Sequence, residues 1–94
     1  MALEIAAAAA ITGLNSLTCM KHVGLNVASD TFMTYMYIGC RGGHVIVSAD
    51  DPSCHSSQNE QDNRYYALFG GAPMLEPSTP EEAKEMTRIG FEIS

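Results

Sequence analysis

The feature that most constrains this sequence is a largely apolar, β-branched run of six residues, His44 to Ala49. It follows the glycine pair Gly42-Gly43 and leads directly into Asp50-Asp51-Pro52. A continuous apolar run between such turn residues is typical of a strand that is buried on both faces of a parallel sheet. Because open α/β folds bind ligands outside the carboxyl ends of such strands, the polar segment after Ala49 is the first candidate for a site.

Helical and extended patterns alternate along the chain. Leu3, Ala7 and Ala10 repeat at helical spacing, and Asn26 is placed to cap a second helix. The order α-β-α-β-α-β-α, with short connections and right-handed crossovers, predicts an α/β domain with a three-layer arrangement around a parallel sheet. The predicted strands cover 17–20, 44–49 and 74–76, and the predicted helices cover 3–14, 26–39, 57–69 and 79–93.

The two ends of the sequence lack the helix signals that the interior possesses. No capping residue precedes Leu3 and no terminator follows Ile93, whereas Thr79-Pro80-Glu81-Glu82 has a cap, a first-turn proline and an acid. We therefore expect residues 1–94 to be a single partial domain, an internal piece of a larger one. A piece with exposed sheet edges should also self-associate.

Composition excludes several classes of function. The 5 basic and 11 acidic residues give a net charge of -6, and without a basic cluster no binding to nucleic acid is expected. No apolar run approaches the ~20 residues that span a bilayer, so no membrane association is predicted. The 3 cysteines are odd in number and irregularly spaced, which favours a reducing cytoplasm over a disulfide scaffold.

Two acids directly follow the central apolar run. Asp50 and Asp51 could hold a magnesium ion or orient a cofactor, but an Asp-Pro step also simply makes a turn. No third acid is placed to complete a magnesium site, so no metal ligands are predicted. The glycines at 39, 42 and 43 match neither common phosphate-binding pattern, and we interpret them as a helix-to-strand turn.

Two histidines and one arginine are the other candidates. His22 and His55 fall on predicted loops at strand carboxyl ends, where each is either solvated or part of a site. Cys54 and His55 are adjacent, so in an extended segment their side chains point apart and cannot form a catalytic pair. Arg64 could bind a substrate carboxylate through two hydrogen bonds, or it could pair with one of the acids at 50, 51 and 62.

Three segments resemble one known family. They are MKHVGLN at Met20 to Asn26, VIVSADDPSCHSSQNEQDNRYYALF at Val45 to Phe69, and PMLEPSTPEEAKEM at Pro73 to Met86. Together they resemble the large subunit of indolepyruvate:ferredoxin oxidoreductases, and the resemblance covers essentially the whole chain. HSSQNEQDNRYY is the most specific part of the match.

The resemblance implies a fold, a cofactor and a set of partners. Enzymes of this family decarboxylate a 2-oxo acid with thiamine diphosphate, pass electrons through iron–sulfur clusters to ferredoxin, and form an acyl-coenzyme A. The matching region would be the latter part of the pyrimidine-binding domain of the thiamine diphosphate fold, with the magnesium ion and the clusters outside this chain. The implied partners are the remaining domains of the large subunit, the small subunit, ferredoxin, coenzyme A and an aryl pyruvate.

The resemblance also places two loops at the active-site cleft. His22 and Gly24, together with Asp50 and Asp51, would contact the cofactor, and His55 is a candidate acid/base. Four polar residues further along the second loop would line the cleft around the substrate: Ser56, Gln58, Asn59 and Arg64. Arg64 would bind the substrate's carboxylate.

The glutamate that activates the cofactor in this family has no counterpart in the sequence. It lies in an Asn-Glu-Lys stretch just before the first helix, and Glu4 corresponds to a later acid of that helix. We therefore expect the isolated chain to be inactive. The alternative interpretation is a non-catalytic α/β module for subunit interaction or small-ligand binding.

Overall fold

Two parallel strands form the centre of the computed structural model, which describes all 94 residues. Strand β1 (Ser16–Lys21) pairs with β2 (His44–Ala49) in a register that places Ser16 opposite His44. The predicted bounds of the central strand are confirmed, and the parallel pairing confirms the α/β class. Parallel neighbours need a long crossover, and here α2 (His22–Val27) and α3 (Ser29–Ile38) provide it.

Three further helices complete the structure: α1 (Ala2–Ile11), α4 (Arg64–Gly70) and α5 (Pro80–Ile93). The predicted start of α5 is confirmed, because Thr79 Oγ1 accepts a hydrogen bond from the Glu82 backbone N–H at 3.1 Å and Pro80 opens the helix. No helix combines the length and the apolar character that crossing a bilayer would require.

The hydrophobic core lies on one face of the sheet. Leu3 of α1, Leu25 of α2 and Phe32 of α3 are buried together, and Ile46 of β2 packs against them. Because side chains alternate along a strand, Val45 points to the opposite face, where it lies against Gly90 of α5. The sheet contains two strands, so the complete three-layer arrangement remains a prediction.

The predicted third strand is wrong. Residues 72–77 form an irregular segment rather than a strand over 74–76. A strand is stabilised by a neighbour that pairs with its backbone, and neither β1 nor β2 pairs with this segment. For the same reason β2 is half-buried rather than buried on both faces, since one of its edges has no partner strand.

Two predicted helix starts are also wrong. The helix expected from Ser57 begins at Arg64, because Glu60 accepts a hydrogen bond from the Ser53 backbone N–H at 2.9 Å instead of completing a capping box. The helix expected after Asn26 begins earlier, at His22, so Asn26 lies inside α2 and its side chain accepts a hydrogen bond from the Tyr66 hydroxyl. Residues 50–63 are therefore a loop.

Candidate functional site

A network of polar side chains lies at the carboxyl ends of β1 and β2. Strand β1 runs directly into His22, the first residue of α2, and β2 runs into Asp50. The loop 50–63 folds back over this edge and returns Asn63 to it, where the Asn63 backbone N–H donates to Asp50. This is the edge of the sheet at which open α/β folds bind ligands.

His22 is completely buried at this edge. Its Nε2 lies 2.9 Å from the carbonyl oxygen of Asn59 and 3.3 Å from Ser57 Oγ. A carbonyl oxygen can only accept a hydrogen bond, so Nε2 carries the proton and Nδ1 is left with a free lone pair. Nδ1 is itself buried, and no group in the chain donates to it. His22 thus holds the loop closed and presents one unused acceptor.

Asn63 closes a ring of hydrogen bonds with the end of β2. Its Nδ2 donates to Ser48 Oγ at 2.9 Å, and Ser48 Oγ donates to Asp50 Oδ1 at 2.5 Å. Asp50 Oδ2 accepts from the Asn63 backbone N–H at 3.2 Å, and Asn63 Nδ2 lies 3.4 Å from the His22 carbonyl oxygen. The ring fixes the side chain of Asn63 and leaves its buried Oδ1 without a donor.

The two unused acceptors belong to the same network. His22 Nδ1 and Asn63 Oδ1 are the buried side-chain polar atoms of the chain that have no hydrogen-bond partner. A buried polar atom without a partner costs about 1–3 kcal/mol, so a group that donated hydrogen bonds here would relieve a real cost. Either atom would be stabilised by a hydrogen-bond donor that reached it.

The remaining loop residues of the predicted site lie outside this network. His55, Ser56 and Gln58 have exposed side chains and take no part in its hydrogen bonds. Asn59 contributes through its backbone, since its carbonyl oxygen accepts from His22 and also from Cys54 Sγ at 3.3 Å. The structure thus separates the residues that join the network from an exposed outer layer of the same loop.

The predicted cofactor-binding residues divide in the same way. His22 and Asp50 both take part in the network, Asp50 with an exposed side chain, whereas Asp51 forms a half-exposed ion pair with Lys21 at 3.4 Å. Gly24 lies inside α2, where a Cβ atom would come within 3.1 Å of Met20 Cβ. Its small size lets α2 pack closely on the end of β1.

Arg64 is the first residue of α4, and its side chain is exposed. Its Nε and Nη2 both donate to the carboxylate of Asp62 at 2.8 Å, and Nη1 lies 3.8 Å from Glu76 Oε1. Of the alternatives that the sequence allowed, the chain by itself uses the pair with Asp62. Hydrogen bonds from Arg64 hold the pKa of Asp62 below its usual value. A substrate carboxylate would have to displace Asp62 from the guanidinium.

The sequence-based prediction missed Ser48, Ser57 and Asn63. One signal was available for Ser48, because a hydroxyl inside a buried apolar run must find a hydrogen-bond partner. Asn63 precedes a helix directly, but its side chain makes no helix cap and instead bonds β2. Its role follows from the path of the whole loop and has no local signal.

An apolar cavity of about 480 Å³ adjoins the network. Ser48, Asp50 and Asn63 line its polar part, and side chains of β2, α3 and α5 line the rest. Where the cavity meets these three side chains, it combines a few convergent polar groups with apolar neighbours, as ligand sites do. No group of three or more His, Cys, Asp or Glu side chains is placed to hold a metal ion.

Fold and network together define an α/β protein with parallel strands that carries a polar, partly unsatisfied site at the strands' carboxyl ends. Over all 94 residues, the chain is 61% identical to indolepyruvate oxidoreductase subunit IorA of Methanothermobacter marburgensis. The identity is 60% to the same subunit of Thermococcus kodakarensis and 49% to that of Archaeoglobus fulgidus. The whole chain therefore corresponds to a segment of the IorA subunit family, which confirms the predicted resemblance to indolepyruvate oxidoreductases.

The match has a limited span on the side of the relatives. The match extends over all 94 residues of this chain, but it covers only 15% of the subunit from M. marburgensis and 14% of that from T. kodakarensis. No family model matches the chain, and no solved structure matches it.

Proposed function

We propose that this chain forms one wall of the cofactor cleft in an indolepyruvate:ferredoxin oxidoreductase that depends on thiamine diphosphate. Two findings support the proposal: the relatives named indolepyruvate oxidoreductase, and the polar network at the ligand-binding edge of a parallel sheet. In this proposal the chain is part of a pyrimidine-binding domain with a three-layer sheet. The full enzyme converts an aryl pyruvate to an acyl-coenzyme A.

The observation that carries the proposal is the pair of buried acceptors, His22 Nδ1 and Asn63 Oδ1. An aminopyrimidine ring bears an amino group with two hydrogen-bond donors, which is the chemistry that these atoms lack. At the same edge, the basic side chain of Lys21 is paired with Asp51, and no group of three or more acidic, His or Cys side chains is placed to hold a magnesium ion. The residues therefore fit the pyrimidine half of the cofactor, and the diphosphate half would be held outside residues 1–94.

Thiamine diphosphate, when bound, supplies the carbon nucleophile that attacks a 2-oxo group and accepts the electrons released with carbon dioxide. The chain's own residues would prepare the site for that chemistry. His22 and Asn63 orient the ring, and Asp50 keeps Asn63 in place through the backbone N–H. The loop over His22 would exclude water from the site, and Gly24 lets α2 pack closely on the end of β1.

The exposed layer of the loop would act on the substrate. His55 would exchange a proton with the 2-oxo acid, and Arg64 would bind its carboxylate after leaving Asp62. Ser56, Gln58 and Asn59 would line the cleft around the aryl group, with Asp51 at its border. The proposed partners are the rest of the large subunit, the small subunit and ferredoxin, all in the cytoplasm, with iron–sulfur clusters outside this chain.

Calorimetric titration with thiamine diphosphate tests the role of the buried network. The isolated chain should bind the cofactor weakly or not at all, because it supplies one wall of the cleft. In the assembled enzyme, Asn63→Ala should weaken cofactor binding about tenfold, as expected for the loss of one well-placed hydrogen bond. Asn59→Ala is the matched control and should change it less than about twofold, because only its backbone joins the network. Micromolar affinity of the isolated chain, or equal effects of the two variants, would contradict the proposal.

Steady-state kinetics of the assembled enzyme test the carboxylate clamp. Arg64→Ala should raise the KM for the aryl pyruvate about tenfold or more, since a charge-assisted pair is lost. Arg88→Ala is the control, because Arg88 is equally exposed and pairs with Glu85 and Glu92 on α5. An unchanged KM in Arg64→Ala would reject the clamp.

A further inference from the structure

The cavity beside β2 has the form of an open groove along the strand. Val45, Ile46 and Val47 of β2 all border it, and consecutive residues of a strand can share a cavity only if it reaches around the strand's edge. Across the groove lie α5 and the irregular segment 72–77, including Met74 and Leu75. The groove therefore separates an unpaired strand edge from a segment whose sequence has the pattern of a strand.

The backbone of β2 is unpaired along this edge. Ser16 N donates to the Gly43 carbonyl oxygen, so the parallel register turns the amides of Val45 and Val47 toward β1. The amides of His44, Ile46 and Ser48 then face the groove. Those of Ile46 and Ser48 have no hydrogen-bond partner, and His44 N donates to Ser94 Oγ at 3.0 Å.

The end of α5 lies at one end of this groove. Ser94 follows α5 directly and bonds the first residue of β2, and both Ile93 and Ser94 border the cavity. A polypeptide continuing from Ser94 would therefore start beside the amino end of β2. If it ran on along the groove, it would be parallel to β2, and α4 and α5 would form the crossover that parallel strands require.

We propose that the groove receives a β-strand formed by the polypeptide that follows Ser94 in the full-length subunit. The relatives are several times longer than this chain, which covers 15% of the subunit from M. marburgensis. The strand would pair with the amides of Ile46 and Ser48 on one side. On its other side it would give 74–76 the neighbour that this segment lacks.

The groove also fixes the chemistry of its occupant. Its walls are mostly apolar, with side chains from α3 on one side of the sheet and from α5 on the other. A strand covered on both faces is a near-continuous run of Val, Ile and Leu. Its carboxyl end would lie beside Asp50 and Asn63, so polar residues following the apolar run would join the network described above. This inference concerns the sheet and does not depend on the identity of the cofactor.

Hydrogen exchange measured by NMR tests the proposal within a single strand. In the 94-residue chain, the amides of Ile46 and Ser48 should exchange rapidly while those of Val45 and Val47 are protected by β1. In a chain that continues through the native residues after Ser94, protection at Ile46 and Ser48 should rise at least about tenfold, and Met74 to Glu76 should gain protection as well. Unchanged exchange at Ile46 and Ser48 would overturn the proposal. So would protection in the 94-residue chain that rises with protein concentration, because the occupant would then be a second copy.

A blocked groove provides the matched control. Ala83→Trp in α5 places a large side chain at a position that lines the cavity, whereas Lys84→Trp places it on the neighbouring exposed position. In the longer chain, Ala83→Trp should abolish the added protection of Ile46 and Ser48, and Lys84→Trp should leave it intact. Circular dichroism of Ala83→Trp in the 94-residue chain should be unchanged, which distinguishes blocked docking from misfolding. Equal protection in both longer variants would contradict docking in this groove.

Discussion

The first and second halves of this chain differ in how much of their surface they bury. Of the 10 buried residues, all but Asn63 lie within residues 1–49. Helices α1 and α2 pack against both strands and against α3, whereas α4 packs mainly against α3 and α5 mainly against β2. The first half thus forms a core of its own, and the second half is arranged around surfaces that the 94 residues leave open.

The difference explains where function is found. A region with a complete core gains little from a partner, but a region with an open groove and unused hydrogen-bond acceptors is suited to binding one. Both such features, the groove along β2 and the network around His22, involve residues after Ala49. The comparison therefore predicts that substitutions in the core of α1, α2 and α3 affect stability, whereas those around the network and the groove affect what the chain binds.

The strongest test compares two phenylalanines, one in each half. Phe32 is 4% exposed and meets the ring of Tyr66 edge-on, whereas Phe69 is 82% exposed. Phe32→Ala should lower the free energy of unfolding by about 3–5 kcal/mol, because it leaves a cavity in the core. Phe69→Ala should change it by less than about 0.5 kcal/mol. Urea denaturation followed by circular dichroism measures both, and similar losses would show that the halves do not differ as described.

Asn63 is the exception that sharpens the comparison, as the one buried residue of the second half. Asn63→Ala should cost about 1–3 kcal/mol of unfolding free energy, because Ser48 and the His22 carbonyl oxygen lose their donor. Asn59→Ala should cost less than about 0.5 kcal/mol, since its side chain is exposed. The same urea series measures both variants. If Asn59→Ala were the more damaging, the loop would be held by side chains other than those of the ring.

The pH dependence of stability should come from the first half. His44 is bonded to Thr18 at 2.9 Å and to the Tyr35 hydroxyl at 3.1 Å, and burial lowers the pKa of His44. Burial, with a smaller contribution from a hydrogen bond to Cys40, raises the pKa of Tyr35, so this neighbour stays neutral. Because the folded-state pKa of His44 lies below the unfolded value of about 6.5, unfolding takes up protons there. Stability is full above that pH and falls as the pH drops toward the folded pKa.

Separate substitutions of His44, which is half-buried, and His55, which is exposed, identify the residue that causes this pH dependence. Thermal unfolding between pH 7.5 and about 5, above the range where carboxylates titrate, should show a falling midpoint in the natural chain. His44→Gln should flatten the curve, and His55→Gln, in the exposed loop, should leave it as it is. A curve that was flattened by His55→Gln instead would place the titrating group in the second half.

The same contrast governs how far the sequence predicts the structure. The bounds of β2 and the start of α5 follow from local signals, namely an apolar run between turn residues and the Thr79-Pro80 cap. The segment 74–76 has a strand pattern, but a strand needs a partner that residues 1–94 do not provide. Ser57 and Glu60 have the spacing of a capping box, yet they bond His22 and Ser53 because the loop folds back on β1. Prediction from local sequence patterns is wrong in these two segments because contacts between residues far apart in the sequence determine their structure.

The smallest expected effect concerns Arg64, the most exposed of the proposed functional residues that make an ion pair. Arg64→Ala removes two hydrogen bonds to Asp62 and returns the pKa of Asp62 toward its usual value. Since both side chains are exposed, the free energy of unfolding of the 94-residue chain should fall only slightly, and by less at high salt. Chemical denaturation at low and high salt measures this change. A larger loss would mean that the Arg64–Asp62 pair holds the loop to α4, and the second half would then have a structural centre of its own.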